Sequence, residues 1–379
     1  MAQVKLGDVA VESRETYKGD KTGMPIVGLE HLTPGEVTLS NWDTDTNNTF
    51  TKRFRKGDML FGRRRAYLKK AALAPFDGLC SGDITVIRAK EDLLLPELLP
   101  FIIQNDNLFD FAVGKSAGSL SPRVKWDSLK NYTFELPPME EQKKLAEVLW
   151  SINDTLQAYQ NLLRETNELV KAQFIEIFGK LPEESRYSTV MLGDIADMLS
   201  GGTPSSKHPE YYGGNIPFVS TPCLGPNYID ENDAQNWLTD LGVEKSATHI
   251  IPAYSILYGS RVGVGKCSIN TCEMCTNQDI LSFFNIDKKK YDILYIKKVL
   301  DQYFEYVDAQ KRGSTIKGVS SDLVKKIKIP DVSMETQKFF ASFIDQCDRT
   351  KSSLQNTITS LQATKHRILE DSLGNGRKE

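Results

Sequence analysis

Two long stretches of the chain repeat apolar residues at a seven-residue step. From Met139, just after Pro137-Pro138, the step lands on Leu149, Leu156, Leu163, Val170 and Ile177, with Leu145, Ile152, Tyr159 and Thr166 on the interleaved positions. From Met334 it lands on Phe340, Cys347, Leu354, Leu361 and Ile368, reinforced by Phe343, Ile344 and Ile358. Such spacing is the seam of a helix packed lengthwise against another helix. Ser333 and Glu335 suit the start of the second helix, and Gly374 and Gly376 its end. About 40 residues each, at 1.5 Å per residue, give rods of roughly 60 Å. Two seams of equal length predict an antiparallel coiled coil.

Outside these rods the pattern shortens to strand-like runs. DITVIRA at 83–89, NYTFEL at 131–136, DILSFFNI at 279–286 and KKIKIP at 325–330 are rich in β-branched and aromatic residues. Residues 95–113 and 291–309 read as helices, and turn clusters such as GGTPSS at 201–206 and YYGGNIP at 211–217 separate the elements.

The sequence also repeats against itself. VKLGDVA from Val4 returns as VMLGDIA from Val190, PIVGLEHL from Pro25 as PFVSTPCL from Pro217, and MLFGRRR from Met59 as ILYGSRV from Ile256. GDI at Gly82 answers QDI at Gln278, Gly118-Ser119 answers Gly313-Ser314, Leu136-Pro137 answers Ile329-Pro330, and Gln142-Lys143 answers Gln337-Lys338. The offsets all lie between 186 and 197. A period this long is a doubled module and no solenoid repeat. The fold class is therefore α+β. Two similar mixed α/β domains (1–138 and 181–332) are joined by two long antiparallel coiled-coil helices (139–180 and 333–379), with quasi-twofold internal duplication.

Composition adds little to this picture and excludes some classes. A chain of 379 residues with 40% apolar and 26% charged residues is ordinary for globular domains. No apolar run of membrane-spanning length occurs and the first residues lack a signal-peptide core, so the expected location is the cytoplasm, with no membrane partner. Six irregularly spaced cysteines suggest reduced thiols. The net charge of −3 hides an uneven distribution: Lys52, Arg53, Arg55, Lys56, Arg63, Arg64, Arg65, Lys69 and Lys70 have only Asp58 among them as an acid. Phosphate binding depends on local charge, so a basic patch remains compatible with an acidic chain.

Catalytic signatures do not emerge. GSRVGVGKC from Gly259 has one residue too many for a phosphate loop and ends on Cys267 where a magnesium-holding hydroxyl is needed. No NPPY-like segment, G-x-G-x-x-G after a strand, or nuclease carboxylate pattern stands out, and the four histidines are scattered. Cys272 and Cys275 form one CxxC, with Cys223 and Cys267 nearby. A zinc site needs four converging ligands, and the first copy carries only Cys80, so no metal site is expected. No catalytic residue and no cofactor are assigned.

What remains is basic loops. Arg63, Arg64 and Arg65, with Lys69, follow a predicted strand, and Arg261 and Lys266 stand in the corresponding place of the second copy. Lys115, Arg123 and Lys125 flank the first Gly-Ser pair, and Lys311, Arg312 and Lys317 the second. Most charge runs are solvated faces. These recur at matching places on glycine-rich loops that can approach a phosphate backbone, and arginine can bond a guanine edge twice. They are the candidate DNA-binding residues.

SGGTPS followed by EYYGGNIPFVST, the Gly-Ser loop before a helix, and LPPMEEQKKLAEVL resemble the specificity (S) subunit of type I restriction-modification systems over essentially the whole chain. The resemblance implies two target recognition domains, each reading one half of a split sequence in double-stranded DNA. It implies that the helices space these domains and dock two methyltransferase (M) subunits, which carry the S-adenosylmethionine, with restriction (R) subunits completing the complex. The chain itself would be non-catalytic. The first copy departs from the pattern, with KGDKTGMP in place of the GGTPS turn. Two other classes stay open: a non-DNA coiled-coil scaffold, and a recognition fragment of a fused methyltransferase-nuclease.

Overall fold

The computed structural model describes residues 2–44, 48–118, 120–180, 184–309 and 318–374. The chain divides into two compact units, the first made of Met1–Asn161 with Leu354–Glu379 and the second of Leu162–Ser353. Each unit thus holds one copy of the repeat and half of each long helix.

In the first unit, β1 (Ala10–Ser13), β2 (Met59–Gly62), β3 (Ala71–Leu73) and β4 (Ile84–Ala89) form an antiparallel sheet in the order β1-β4-β2-β3. All four residues of β2 and the first four of β4 are buried. A strand covered on both faces needs apolar residues at every position, which is why these runs do not alternate. In the second unit, β5 (Asp197–Ser200), β6 (Tyr228–Ile229), β7 (Ile256–Gly259), β8 (Cys267–Asn270) and β9 (Ile280–Phe284) take the order β5-β9-β7-β8-β6. The first four strands of that sheet repeat the order and directions of the first unit, and β6 adds parallel to β8. The turn motif SGGTPS sits beside this sheet. A Cβ on Gly201 would lie 2.2 Å from the Asn277 carbonyl oxygen, and one on Gly202 2.4 Å from the Ala247 carbonyl carbon. Its glycines allow backbone to touch backbone.

The segment 95–113 does not form the single helix that its apolar content predicts. It breaks into α1 (Leu99–Ile103) and α2 (Asp106–Gly114). Asn105 is the cause: its side chain accepts from Asn107 N at 2.9 Å and caps a new helix start. Gln104 beside it donates to the Glu36 and Ala71 carbonyls.

The first long helix, α3, spans Met139–Phe178; α4 (Ile293–Ala309) matches the predicted helix of the second copy, and the other long helix, α5, spans Met334–Leu373. The Ser333 hydroxyl accepts from Thr336 N at 3.2 Å, giving α5 its cap. Within the first unit, Ala146 and Leu149 share a core with Leu369 and Leu373. Within the second, Val170, Phe174 and Phe178 share one with Phe340, Ala341, Ile344 and Cys347, with the Phe178 and Phe340 rings 4.9 Å apart. In both units an early part of one helix meets a late part of the other, so they run antiparallel. Of the seam residues, Leu149, Leu156, Val170, Phe340, Cys347 and Leu354 are buried, and Leu163, Ile177, Leu361 and Ile368 are half-buried. Near the end of α5 the buried stripe moves to Leu369 and Leu373, the drift that 3.6 residues per turn imposes on a seven-residue step.

The glutamine of the repeated Gln-Lys pair proves to be a buried staple, while both lysines are exposed. Gln142 Nε2 donates to the carbonyls of Leu93 (3.2 Å) and Pro137 (3.0 Å), while its Oε1 accepts from Leu95 N. Gln337 does the same with Lys290, Val332 and Asp292 N. Each glutamine ties the start of a long helix to the loop before its domain's helical segment. Gln337→Leu should leave these groups unpaired and lower unfolding free energy by about 1–3 kcal/mol. A denaturant midpoint equal to the parent protein's would contradict the staple.

Candidate nucleic-acid interface

The basic run at 52–56 is less basic in space than along the chain. Lys52 lies 3.6 Å from Glu12, Arg53 3.3 Å from Asp77 and Arg55 3.0 Å from Glu15. The nearly buried carboxylate of Asp58 is taken by Arg88, at 2.7 Å. These cations have acids brought from distant segments.

The loop after β2 is organised differently. Arg63 N donates to the Asp83 carbonyl (3.0 Å) and Val124 N donates to the Arg63 carbonyl (3.0 Å). Arg123 bonds the Asp83 carboxylate with two nitrogens, at 2.7 and 3.1 Å. Arg64 approaches the same carboxylate at 3.7 Å and donates to the Ser121 hydroxyl at 3.1 Å. Hydrogen bonding from Arg123 holds the Asp83 carboxyl below its ordinary range against the effect of burial, with Arg64 and Arg63 adding to it. Arg63 makes no ion pair among the described residues, and its Nε is buried without a partner. Lys69 pairs with Asp106, Lys115 lies over the Phe111 ring, and Lys125 is exposed.

The second unit repeats this backbone arrangement. Ser260 N donates to the Asp279 carbonyl at 2.8 Å, and Val319 N to the Ser260 carbonyl at 2.7 Å. Arg261, the counterpart of Arg64, stands 4.0 Å from the Asp279 carboxylate. Arg261 and Lys266 are exposed, whereas Lys311, Arg312 and Lys317 lie outside the described residues. One aspartate in each copy therefore anchors the basic loop. Sequence reading missed that role, although both aspartates were visible in the GDI and QDI match.

A cleft opens at the same place in each unit. In the first it has a volume of 290 Å³ and is lined by Arg14, Arg63, Lys125 and Trp126 with Glu12 and Asp127. In the second it has a volume of 630 Å³, and Ser260 and Ser320 stand where Arg63 and Lys125 stand in the first. The shared frame thus presents three cations and two acids in one copy, and in the other a single cation, Arg261, among hydroxyl and apolar side chains.

Other chemistry is sparse. Among the described residues no three His, Cys, Asp or Glu side chains converge as a metal site. Burial pushes the Cys80 thiol up to about 12 and the Cys275 thiol to about 11, which keeps both protonated. No helix of the described residues is long and apolar enough to cross a membrane.

The family model for the type I restriction modification DNA specificity domain matches residues 1–167 and 184–363. The HindI type I restriction enzyme specificity subunit of Haemophilus influenzae is 21% identical over 399 residues, covering 84% of this chain and 85% of that protein. The MjaIX specificity subunit of Methanocaldococcus jannaschii is 28% identical over 171 residues, which is 45% of this chain and 39% of that one. Among solved structures, the type I system S subunit from M. genitalium matches with a TM-score of 0.62 at 13% identity, over 99% of this chain and 96% of that one. A chain from a study of complex assembly and conformational transition of the type I R-M system matches with a TM-score of 0.57 at 20% identity, over 98% and 97%.

Proposed function

Because the chain belongs to the type I restriction-modification DNA specificity family, we propose that it is the DNA-reading subunit of such a system, with residues 1–138 and 181–332 each reading one half of a bipartite duplex target. The observation that carries this reading is the recurrence of one anchored basic loop, Arg64 on Asp83 and Arg261 on Asp279, at matching places of two otherwise diverged copies. A pair of similar reading faces suits a two-part site, as it does in dimeric DNA-binding proteins. Their different cleft linings suit unequal half-sites.

The chain supplies no reacting group in this reading. Two methyltransferase subunits docked on the long helices carry the S-adenosylmethionine and the methylation chemistry, and restriction subunits add cleavage. The test is to express the chain with its methyltransferase partner and map methylated adenines in host DNA with and without its gene. Loss of a bipartite methylation pattern on deletion is the expected result. Co-purification with an unrelated partner and an unchanged pattern would favour the scaffold reading instead.

The long helices set the half-site separation. Adding one heptad to each lengthens the rods by roughly 10 Å. Methylation should then leave the original sites and appear at sites with a longer spacer. Retention of the original spacing would end the ruler idea.

A further inference from the structure

Two features of the loop after β2 go unused by phosphate binding alone. The first is strain. Arg65 (φ 54°) and Lys69 (φ 50°) both adopt the left-handed conformation, and they bracket the single 3-10 turn Ala66–Leu68. Left-handed backbone is strained for residues with a Cβ and natural for glycine. The second unit closes the corresponding loop with one residue fewer and without a 3-10 turn. Gly62 N bonds the Lys70 carbonyl and Gly259 N the Lys266 carbonyl, each at 2.9 Å, which aligns Lys69 with Gly265. Gly265 (φ 88°) and Gly263 (φ 59°) supply the positive φ there. At Lys69 the first copy therefore places a charged side chain where its duplicate uses glycine, whereas Arg65 stands opposite Val262, which has no positive φ.

The second feature is what the strained turn displays. Tyr67 and Leu68 are 54% and 41% exposed, although an aromatic and a leucine on a basic loop gain nothing from phosphates. Their backbone is fixed. Arg65 N donates to the Pro122 carbonyl at 2.8 Å, Leu68 N to Arg65, Lys69 N to Ala66, and Ala66 itself is buried. Apolar side chains in this setting have one productive partner on a duplex, the bases: thymine methyls in the major groove or an opened base step.

Resting on the proposed function, the geometry points to the Arg65–Lys69 turn as the base-contacting element of the N-terminal domain, with Tyr67 and Leu68 touching bases while Arg65 and Lys69, the latter exchanging Asp106 for DNA, hold the flanking phosphates. Backbone strain is retained at the two positions where a cation is needed.

The test uses the full chain assembled with its methyltransferase subunits. Binding is measured over a salt series to a duplex carrying the mapped target and to a scrambled duplex. Tyr67→Ala with Leu68→Ala should weaken target binding by about 30-fold and leave scrambled binding and the salt slope unchanged, because no counterion-releasing contact is lost. Arg65→Gly and Lys69→Gly should weaken both duplexes alike and lower the salt slope by about 0.9 each, with a Tm at or above that of the parent protein. Parental target binding by the Tyr67/Leu68 variant, or glycine variants with an unchanged slope and a lower Tm, would overturn the assignment. If the parent assembly itself cannot distinguish the duplexes, the function reading falls, and the turn assignment falls with it.

Discussion

Replacing Arg63, Arg64 and Arg65 together by alanine is expected to weaken target binding by the assembled complex about 100-fold. Three cations leave one loop, and a good arginine contact to a base edge contributes about 1–3 kcal/mol of discrimination. The contributions will be unequal. Arg64 already shares the Asp83 carboxylate with Arg123, so it must exchange that partner for DNA, whereas Arg63 makes no ion pair among the described residues and lines the cleft. If all three meet phosphates, the slope of log affinity against log salt falls by about 2.7, at roughly 0.9 per contact. If Arg63 reads a base, the slope falls less while discrimination falls more. Equilibrium binding at several salt concentrations separates these cases. Unchanged affinity at moderate salt would remove the loop from the interface.

The second large effect concerns stability. Lys297 and Lys298, both 1% exposed, lie side by side on α4. Lys297 Nζ reaches Asp301 at 2.7 Å and Asn227 at 3.2 Å, and Lys298 Nζ bonds Asp348 of α5 and Asn227. Asp348 also pairs with Lys351 at 2.7 Å. Burial, with the Lys297 charge beside it, pushes the Lys298 ammonium below its ordinary value. Burial alone would raise Asp348, yet the bonds from Lys298 and Lys351 hold it below the usual carboxylate range. Lys298→Met takes one of two ammonium partners from the Asp348 carboxylate, leaving Lys351, and should cost about 1–3 kcal/mol. Pairing it with Asp348→Leu removes both charges and should restore most of the loss.

The pH dependence has a definite sign. A depressed carboxylate contributes stability above its unfolded value, near 3.9, and loses it as pH falls through the lower folded value. Asp348→Asn should therefore differ from the parent at neutral pH and converge with it in acid below about pH 4. Denaturation midpoints across pH would check both claims. Equal stability of Lys298→Met and the parent at pH 7 would show that the network contributes nothing.

This network also shows how far the two copies have diverged. Aligning the glutamine staples places Lys298 opposite Phe101 and Asp345 opposite Trp150. In the first unit those aromatics pack edge to face with centroids 5.2 Å apart. The second domain keeps an aromatic contact to its helix, Tyr295 with Phe340 at 6.2 Å, and adds buried charge where the first has apolar rings.

Much of the architecture was legible in the sequence because it is written in local spacing. A seven-residue apolar step specifies a helix seam wherever it occurs, and both rods run within two residues of the predicted 139–180 and within the predicted 333–379. The duplication was equally visible, since a shared backbone frame keeps small matching segments at a nearly constant offset. Tertiary structure alone decided the electrostatics. The run at 52–56 looked free of acids, but its partners Glu12, Glu15 and Asp77 are carried on other segments. Arg123 meets Asp83 from 40 residues away. Asn105 breaks a helix that its apolar neighbours would have continued. Periodicity belongs to neighbours along the chain, so the sequence determined the rods and the repeat. Charge pairing and backbone strain belong to neighbours in space, so only the fold could show which cations are already engaged and which still face outward.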